Sequence, residues 1–229
     1  MASYGQFCPM AKAMEILDER WTLLVVRELL LGSVHFNDLR RGNPRMSPSL
    51  LAKRLRTLEH AGVIRRDVEC GRTQYTLTQA GQELAPVVHT LQEWGVRWVA
   101  GLGAQDLDPH LLLWDMKRTM AADQWPTGHT VVAITFDDVA TRTARWWVCV
   151  RGDEIDVCDY DPGFEVTAHL TLTLRTFAEI WRGDRSWSTA TREGLVTINA
   201  SRAVRHGLPQ WFGQSSAALV PRPKHTATA

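Results

Sequence analysis

Met46-Ser47-Pro48-Ser49-Leu50-Leu51-Ala52-Lys53-Arg54-Leu55-Arg56-Thr57-Leu58-Glu59-His60-Ala61-Gly62 is the stretch on which the reading of this chain turns. Ser47 is a strong helix N-cap and Pro48 suits the first helical position, where a missing N–H costs nothing. Gly62 supplies the stop, so the spacing predicts a helix over 48–61. At about 100° per residue, Leu55 and Leu58 fall within roughly 40° of Leu51 and define a buried stripe. The opposite side carries Ser49, Lys53, Arg56, Thr57 and His60, with no acid among them. A surface helix that only needs solubility mixes signs, whereas one that faces phosphates does not.

The surroundings have the same bias. Between His35 and Tyr75 stand Arg40, Arg41, Arg45, Lys53, Arg54, Arg56, Arg65, Arg66 and Arg72, opposed by Asp38, Glu59, Asp67 and Glu69. From Gln105 onward acids outnumber bases, so the formal net charge of +1 conceals a basic first half. Val63–Val68 and Gln74–Thr78 alternate around Glu69-Cys70-Gly71-Arg72-Thr73, which predicts a hairpin with a basic tip. Upstream, a helix opens at Cys8-Pro9 with Met10, Met14 and Leu17 on its apolar side. A second spans about Arg20–Leu31, with Trp21, Leu24, Val25, Leu29 and Leu31 as core, and a short third spans His35–Arg41 before Gly42-Asn43-Pro44. Downstream, residues 82–99 read as one long helix. Its Leu84, Val87, Val88, Leu91, Trp94, Val96 and Trp98 exceed what one stripe needs and call for a second partner, most simply another copy of the chain.

Gly101 to Gln105 reads as a linker, after which the composition shifts. A helix over Pro109–Ala122 precedes strands at Thr130–Phe136, Ala144–Arg151, Glu154–Asp159 and Val166–Leu174. Helices at Thr176–Trp181 and Ser188–Arg192, a strand at Leu195–Asn199 and a helix at Ser201–His206 complete the pattern, with a loose tail from Pro221. The whole is α+β in two domains, 1–103 and 106–215, with 216–229 as tail.

The residues from Phe7 to Gly81 resemble the HxlR branch of the winged helix-turn-helix regulators, relatives of the MarR proteins. The resemblance rests on Cys8-Pro9, Arg20-Trp21-Thr22-Leu23-Leu24, His35-Phe36-Asn37-Asp38-Leu39, Met46-Ser47-Pro48-Ser49-Leu50-Leu51, Leu55-Arg56-Thr57-Leu58-Glu59, Ala61-Gly62-Val63-Ile64 and Tyr75-Thr76-Leu77-Thr78-Gln79-Ala80-Gly81. Asp18-Glu19 departs from it where the family often has two glycines. The resemblance implies a homodimer joined through 82–99 that binds a palindromic operator in double-stranded DNA as a transcriptional repressor. Helix 48–61 would enter the major groove, with Ser47, Ser49, Lys53, Arg56 and Thr57 near it, and Arg65, Arg66, Arg72 and Thr73 on the hairpin would reach the backbone or an adjacent minor groove. It also implies that Cys8, at a helix N-terminus where the dipole favours a thiolate, is a candidate sensor of oxidants or electrophiles. The alternative for Cys8 is simple packing.

The second half resembles the sterol-carrier-protein (SCP2) fold through its element order and through Thr173-Leu174, Gly183, Gly194, Leu195 and Ile198, while Asn199-Ala200-Ser201 departs from it. This implies an apolar cavity, for which Leu113, Trp114, Met120, Trp146, Trp147 and Trp181 are the candidate lining and an apolar small molecule the candidate effector. Trp146 and Trp147, adjacent on a strand, point to opposite faces. The alternative is a rear domain used only for dimerisation or partner binding.

Other classes fare poorly. No GxSxG, HExxH or P-loop string occurs, and Asp137-Asp138 and Asp159-Tyr160-Asp161 fall at turns where Asp is expected, so an enzyme acting on an apolar molecule is the weakest reading. Cys8, Cys70, Cys149 and Cys158 lack zinc or disulfide-framework spacing, so neither metal nor cofactor is expected. The apolar runs Leu23–Val26 and Leu29–Leu31 fall far short of the roughly 20 residues of a membrane span, and the first residues carry no signal-peptide pattern. A cytoplasmic protein is the expectation.

Overall fold

The computed structural model describes residues 3–99 and 101–222; the end of the expected tail, 223–229, lies outside the described residues. By its internal contacts the chain forms two units that divide after Gln92, within a helix.

Unit one runs α1 (Pro9–Leu17), α2 (Thr22–Leu30), α3 (Phe36–Arg41), α4 (Pro48–His60), the hairpin β1 (Ile64–Glu69) and β2 (Arg72–Leu77), α5 (Gln79–Gln82) and the start of α6 (Ala85–Trp98). Its core joins Val25, Val26 and Leu29 of α2, Leu39 of α3, Leu51, Leu55 and Leu58 of α4, and Met46, Val63, Ile64 and Val88. The leucine stripe of α4 is therefore buried as its periodicity requires. Leu24 and Leu31, expected in the core, are exposed, and so is Met10, expected on the apolar side of α1. Helix α2 starts at Thr22, not Arg20, because Trp21 adopts a left-handed conformation (φ 80°), and the inward arc is occupied by Val25, Val26 and Leu29.

The long helix expected over 82–99 is two pieces. Thr78 caps α5 by accepting the Gly81 N–H at 3.3 Å. Pro86 then has no N–H with which to carry the ladder back into α5, and it is accommodated instead in the first turn of α6.

Unit two holds α7 (Pro109–Lys117), β3 (His129–Phe136), β4 (Arg145–Arg151), β5 (Glu154–Cys158), β6 (Ala168–Leu172), α8 (Leu174–Arg182), α9 (Trp187–Arg192), β7 (Val196–Asn199) and α10 (Arg202–Phe212). The sheet order is β5-β4-β3-β6-β7, antiparallel except for the parallel pair β3–β6. Val132, Ile134 and Phe136 share one face with Trp146, Val148 and Val150, with Leu170 and Leu172, and with Val196. That face builds one core with Leu113 and Met116 of α7, Phe177 and Ile180 of α8, Trp187 of α9, and Trp211 and Phe212 of α10. The other face alternates with it: Trp147, Cys149 and Cys158 are half-buried, and His169, Thr171 and Thr197 are exposed. On that second face Val131 is buried, because the β5–β6 connection returns there. Thr167 N–H donates to the Val131 carbonyl at 2.8 Å, and Phe164 meets the His129 ring at 4.3 Å.

Three expected boundaries move for local reasons. Helix α7 stops at Lys117, not Ala122, with Arg118 as its C-cap residue and the Thr119 hydroxyl donating to the Met116 carbonyl at 2.9 Å. Strand β6 stops at Leu172 since Thr173 caps α8, its hydroxyl accepting the Thr176 N–H at 2.9 Å. Helix α10 runs through Pro209 to Phe212 instead of stopping at His206. Pro209 removes one ladder bond, and burial of Leu208, Trp211 and Phe212 in the core outweighs that loss.

Candidate nucleic-acid interface

Helix α4 is fixed at three points, which decides the face it shows. Its N-terminus is capped by Ser47, whose hydroxyl oxygen accepts the Leu50 N–H at 3.3 Å. Leu51, Leu55 and Leu58 are inside. Arg54, about 60° from Leu51 around the helix, also turns inward: its Nε donates to the Arg20 carbonyl at 3.0 Å and its guanidinium pairs with Glu19. The departure Asp18-Glu19 from the family pattern thus supplies an acid to the one inward arginine of this helix.

Ser47, Ser49, Lys53, Arg56 and His60 are left exposed, with Glu59 exposed at the margin of that face, and Thr57 is half-buried with its hydroxyl donating to the Lys53 carbonyl at 3.1 Å. Ser47 and Ser49 hydroxyls meet at 3.2 Å at the start of the helix. The five α4 candidates therefore lie along one helix, and Arg54 is withheld from them.

The hairpin candidates divide. Arg65 faces Thr76 and Arg66 faces Tyr75 across the ladder, while Arg72 closes it opposite Glu69. By strand alternation Arg65 and Arg72 share one face of the wing, and Arg66 and Thr73 the other. Arg65 Nε donates to Asp67 at 2.7 Å, and this hydrogen bond and the Asp67 charge hold its guanidinium still more firmly protonated. Cys70 (φ 48°) and Gly71 (φ 76°) form the tip, both in the left-handed region that a tight two-residue hairpin turn needs.

The wing is tied to the start of α3. Tyr75 N–H donates to the Val34 carbonyl at 2.8 Å, and His35 Nδ1 donates to the Thr73 carbonyl at 3.1 Å. Between them lies an open cleft of about 470 Å³ lined by His35, Phe36, Asn37, Asp38, Arg41, Arg72 and Thr73. Sequence pattern marks Arg41 only as one basic residue among nine and His35 only as part of a family motif, not as neighbours of the wing. Their approach to Arg72 depends on the Val34–Tyr75 contact, for which the sequence carries no local signal.

The remaining candidates lie elsewhere. Cys8 is the N-cap residue of α1, half-buried, with no cap hydrogen bond from its side chain. In unit two, Leu113, Met120 and Trp146 are core residues. Trp181 packs against that core and donates its indole N–H to Thr119 at 3.0 Å. Trp114 carries Arg118 over its ring at 4.8 Å. Trp147 is on the opposite sheet face, so the six do not surround one space. Among the described residues no group of three or more His, Cys, Asp or Glu side chains is placed to hold a metal ion, and no helix is long and apolar enough to cross a membrane.

Residues 16–101 match the family model described as HxlR-like helix-turn-helix. The uncharacterized HTH-type transcriptional regulator YvaP of Bacillus subtilis is 38% identical over 99 residues, which is 42% of this chain and 92% of that relative. The regulator sll1512 of Synechocystis, also called HTH-type, is 37% identical over 98 residues, covering 42% of this chain and 73% of the relative. Among solved structures, the reduced form of the transcriptional regulator YodB from B. subtilis is 30% identical with a TM-score of 0.37, over 41% of this chain and 96% of that one. An exposed, acid-free helix face beside a basic hairpin therefore coincides with a sequence match that spans almost the whole of a relative, and this chain belongs to the HxlR-like helix-turn-helix family.

Proposed function

We propose that this chain is a cytoplasmic, DNA-binding transcriptional regulator, a repressor that occupies a palindromic operator as a homodimer, and not an enzyme. The observation that carries the reading is the outer face of α4, where Ser49, Lys53, Arg56 and His60 are exposed without an acid among them. In the major groove Ser49, Lys53 and Arg56 meet base edges or phosphates, and Ser47 and Thr57 flank them. Arg66, Arg72 and Thr73 contact the backbone from the wing, and Arg65 joins them where the phosphate field competes with Asp67. The cleft between α3 and the wing, with Arg41 and Arg72 at its sides, suits a backbone phosphate that competes with Asp38, now 3.1 Å from Arg41, for that guanidinium.

Dimerisation is assigned to α6, within the 82–99 segment. In the 1–103 and 106–215 division, the rear domain is the effector module. Among the described residues the helices of this unit pack on one face of the sheet, in the element order of the sterol-carrier resemblance, and an apolar guest would enter on the side of Leu113, Met120, Trp146 and Trp181. Cys8 is the second candidate input, at the start of α1.

Selection of duplexes from a random-sequence pool by the purified protein, followed by footprinting, tests the reading. The expected product is an inverted repeat with half-site centres one duplex turn apart, about 34 Å. Recovery of no sequence preference at moderate salt would overturn it. Native mass spectrometry of the same preparation tests for a retained apolar guest.

A further inference from the structure

Cys149 on β4 and Cys158 on β5 share the face of the sheet that the helices leave uncovered. The register pairs Trp147 with Cys158 and Cys149 with Asp156, so the two cysteines are diagonal neighbours across an antiparallel ladder. Both are half-buried. Burial first, then the neighbouring Cys158 and the Asp156 charge, push the Cys149 thiol up to about 11.

We propose that Cys149 and Cys158 form a reversible dithiol–disulfide pair, a redox modification site in unit two that exchanges with low-molecular-weight disulfides. The order of events follows from the environment, since Cys149 is held as a thiol and the first attack falls to Cys158. The Cys158 sulfur, as thiolate, attacks one sulfur of the small disulfide. The reagent's S–S bond breaks, one thiolate leaves and takes up a proton, and Cys158 carries a mixed disulfide. Cys149 then loses its proton to solvent and attacks the Cys158 sulfur, expelling the second small thiol. Two protein thiols have lost two electrons and two protons, and the small disulfide has gained them.

The geometry makes the bond reversible. Diagonal neighbours in an antiparallel pair lie about 7–8 Å apart, whereas a disulfide requires Cα atoms at about 4.4–6.8 Å. Closure must draw β5 toward β4. Strand β5 is at the sheet edge with β4 as its one ladder neighbour, and the displacement works against Ile155 and Val157 packed on the core and the Lys117–Asp156 pair at 3.1 Å. A bond closed against such a displacement is easily reduced.

The test uses the full chain in graded mixtures of oxidised and reduced glutathione, quenched with acid, alkylated with N-ethylmaleimide and digested with trypsin. Cleavage after Arg145, Arg151 and Arg175 puts Cys149 in peptide 146–151 and Cys158 in peptide 152–175, so the bond joins two peptides otherwise separate. The joined species should appear from monomeric chains on non-reducing gels and vanish with dithiothreitol. Cys149→Ser should accumulate glutathione on Cys158, and Cys158→Ser should not accumulate it on Cys149. Full alkylation of both residues at redox ratios that modify exposed Cys70, or bonds from either residue to Cys8, Cys70 or another chain, would overturn the proposal. The wild-type map needs no variant to fold, and no DNA is involved, so its outcome is separate from that of the regulatory reading.

Discussion

Glu19, at the junction of α1 and α2, is ion-paired with Arg54 in the middle of α4, and the same guanidinium donates to the Arg20 carbonyl at 3.0 Å. The Arg54 side chain is 6% exposed and that of Glu19 49%. The two ends of the pair are therefore unequal. Glu19→Ala leaves a buried guanidinium with a carbonyl and little else, offset by solvent at the opening, and should cost about 1 kcal/mol. Arg54→Ala also strands the Arg20 carbonyl and empties the site, for about 2–3 kcal/mol, and Arg54→Met should cost less by refilling it. Urea midpoints of the three variants and the double mutant measure this. Equal midpoints for Arg54→Ala and wild type would show that the pair does not hold α4.

Gly42 and Gly62 both follow helices, but they are glycines for different reasons. Gly42 has an ordinary φ of −74°, and a Cβ there would lie 1.9 Å from the Glu28 carboxylate. That carboxylate is fully buried, held by Arg27 at 2.8 Å and by the Ser33 hydroxyl at 3.3 Å. Gly62 has φ +70° and open space around its would-be Cβ. Gly42→Ala should cost about 3 kcal/mol through overpacking, and Gly62→Ala about 1 kcal/mol through backbone strain alone. Glu28→Ala should rescue part of the first loss and none of the second in thermal unfolding.

This contrast marks what the sequence discloses. The leucine stripe of α4 and the alternation of β3, β4 and β6 are legible because burial imposes one period on successive residues of one segment. Gly62 is legible as a stop for the same local reason. Gly42 is not, because its constraint is a carboxylate fourteen residues upstream in sequence. The Arg54–Glu19 pair, the His35–Thr73 bond and the diagonal placement of Cys149 and Cys158 depend on which segments become neighbours, and a pattern within one segment carries no record of that. Arg54 gave one hint: it sits only about 60° from Leu51 on the wheel, too close to the apolar stripe for a solvated cation.

At the wing tip, Cys70 holds φ 48° beside Gly71 at φ 76°. The type I′ geometry favours Asn or Gly at the first of these positions. Cys70→Asn should therefore raise stability by about 0.5–1 kcal/mol and leave DNA affinity unchanged, as read by thermal unfolding and fluorescence anisotropy. A lower midpoint would mean that the thiol makes a contact worth more than the strain.

Charge at the interface is read by salt dependence. Lys53→Ala and Arg56→Ala should each lower the slope of log affinity against log salt by about 1, since each removes one phosphate-neutralising cation and neither side chain is in the core. Asp67→Asn should do the reverse: it frees Arg65 from a carboxylate at 2.7 Å and should steepen the slope. An unchanged slope in both α4 variants would take that helix out of the groove.

Helix α6 tests the assembly. Val87, Leu91, Trp94 and Trp98 are 45, 48, 55 and 58% exposed, while Val88, one position from the first, is buried. Their spacing of four, three and four residues is that of a seam between packed helices. Such a stripe left in water forfeits the burial of two aromatic and two aliphatic side chains. In a two-fold dimer every residue on the stripe meets the same stripe on the partner, so one substitution acts on both sides. Leu91→Asp should weaken the dimer at least tenfold, about 1.4 kcal/mol, with the far-ultraviolet circular dichroism unchanged because the side chain is outside the core. Operator affinity should fall with it, since two half-sites are then read by separate chains. Sedimentation equilibrium across a concentration series measures the first effect and fluorescence anisotropy the second. A Leu91→Asp protein that sediments as the wild-type dimer would assign the interface to another surface.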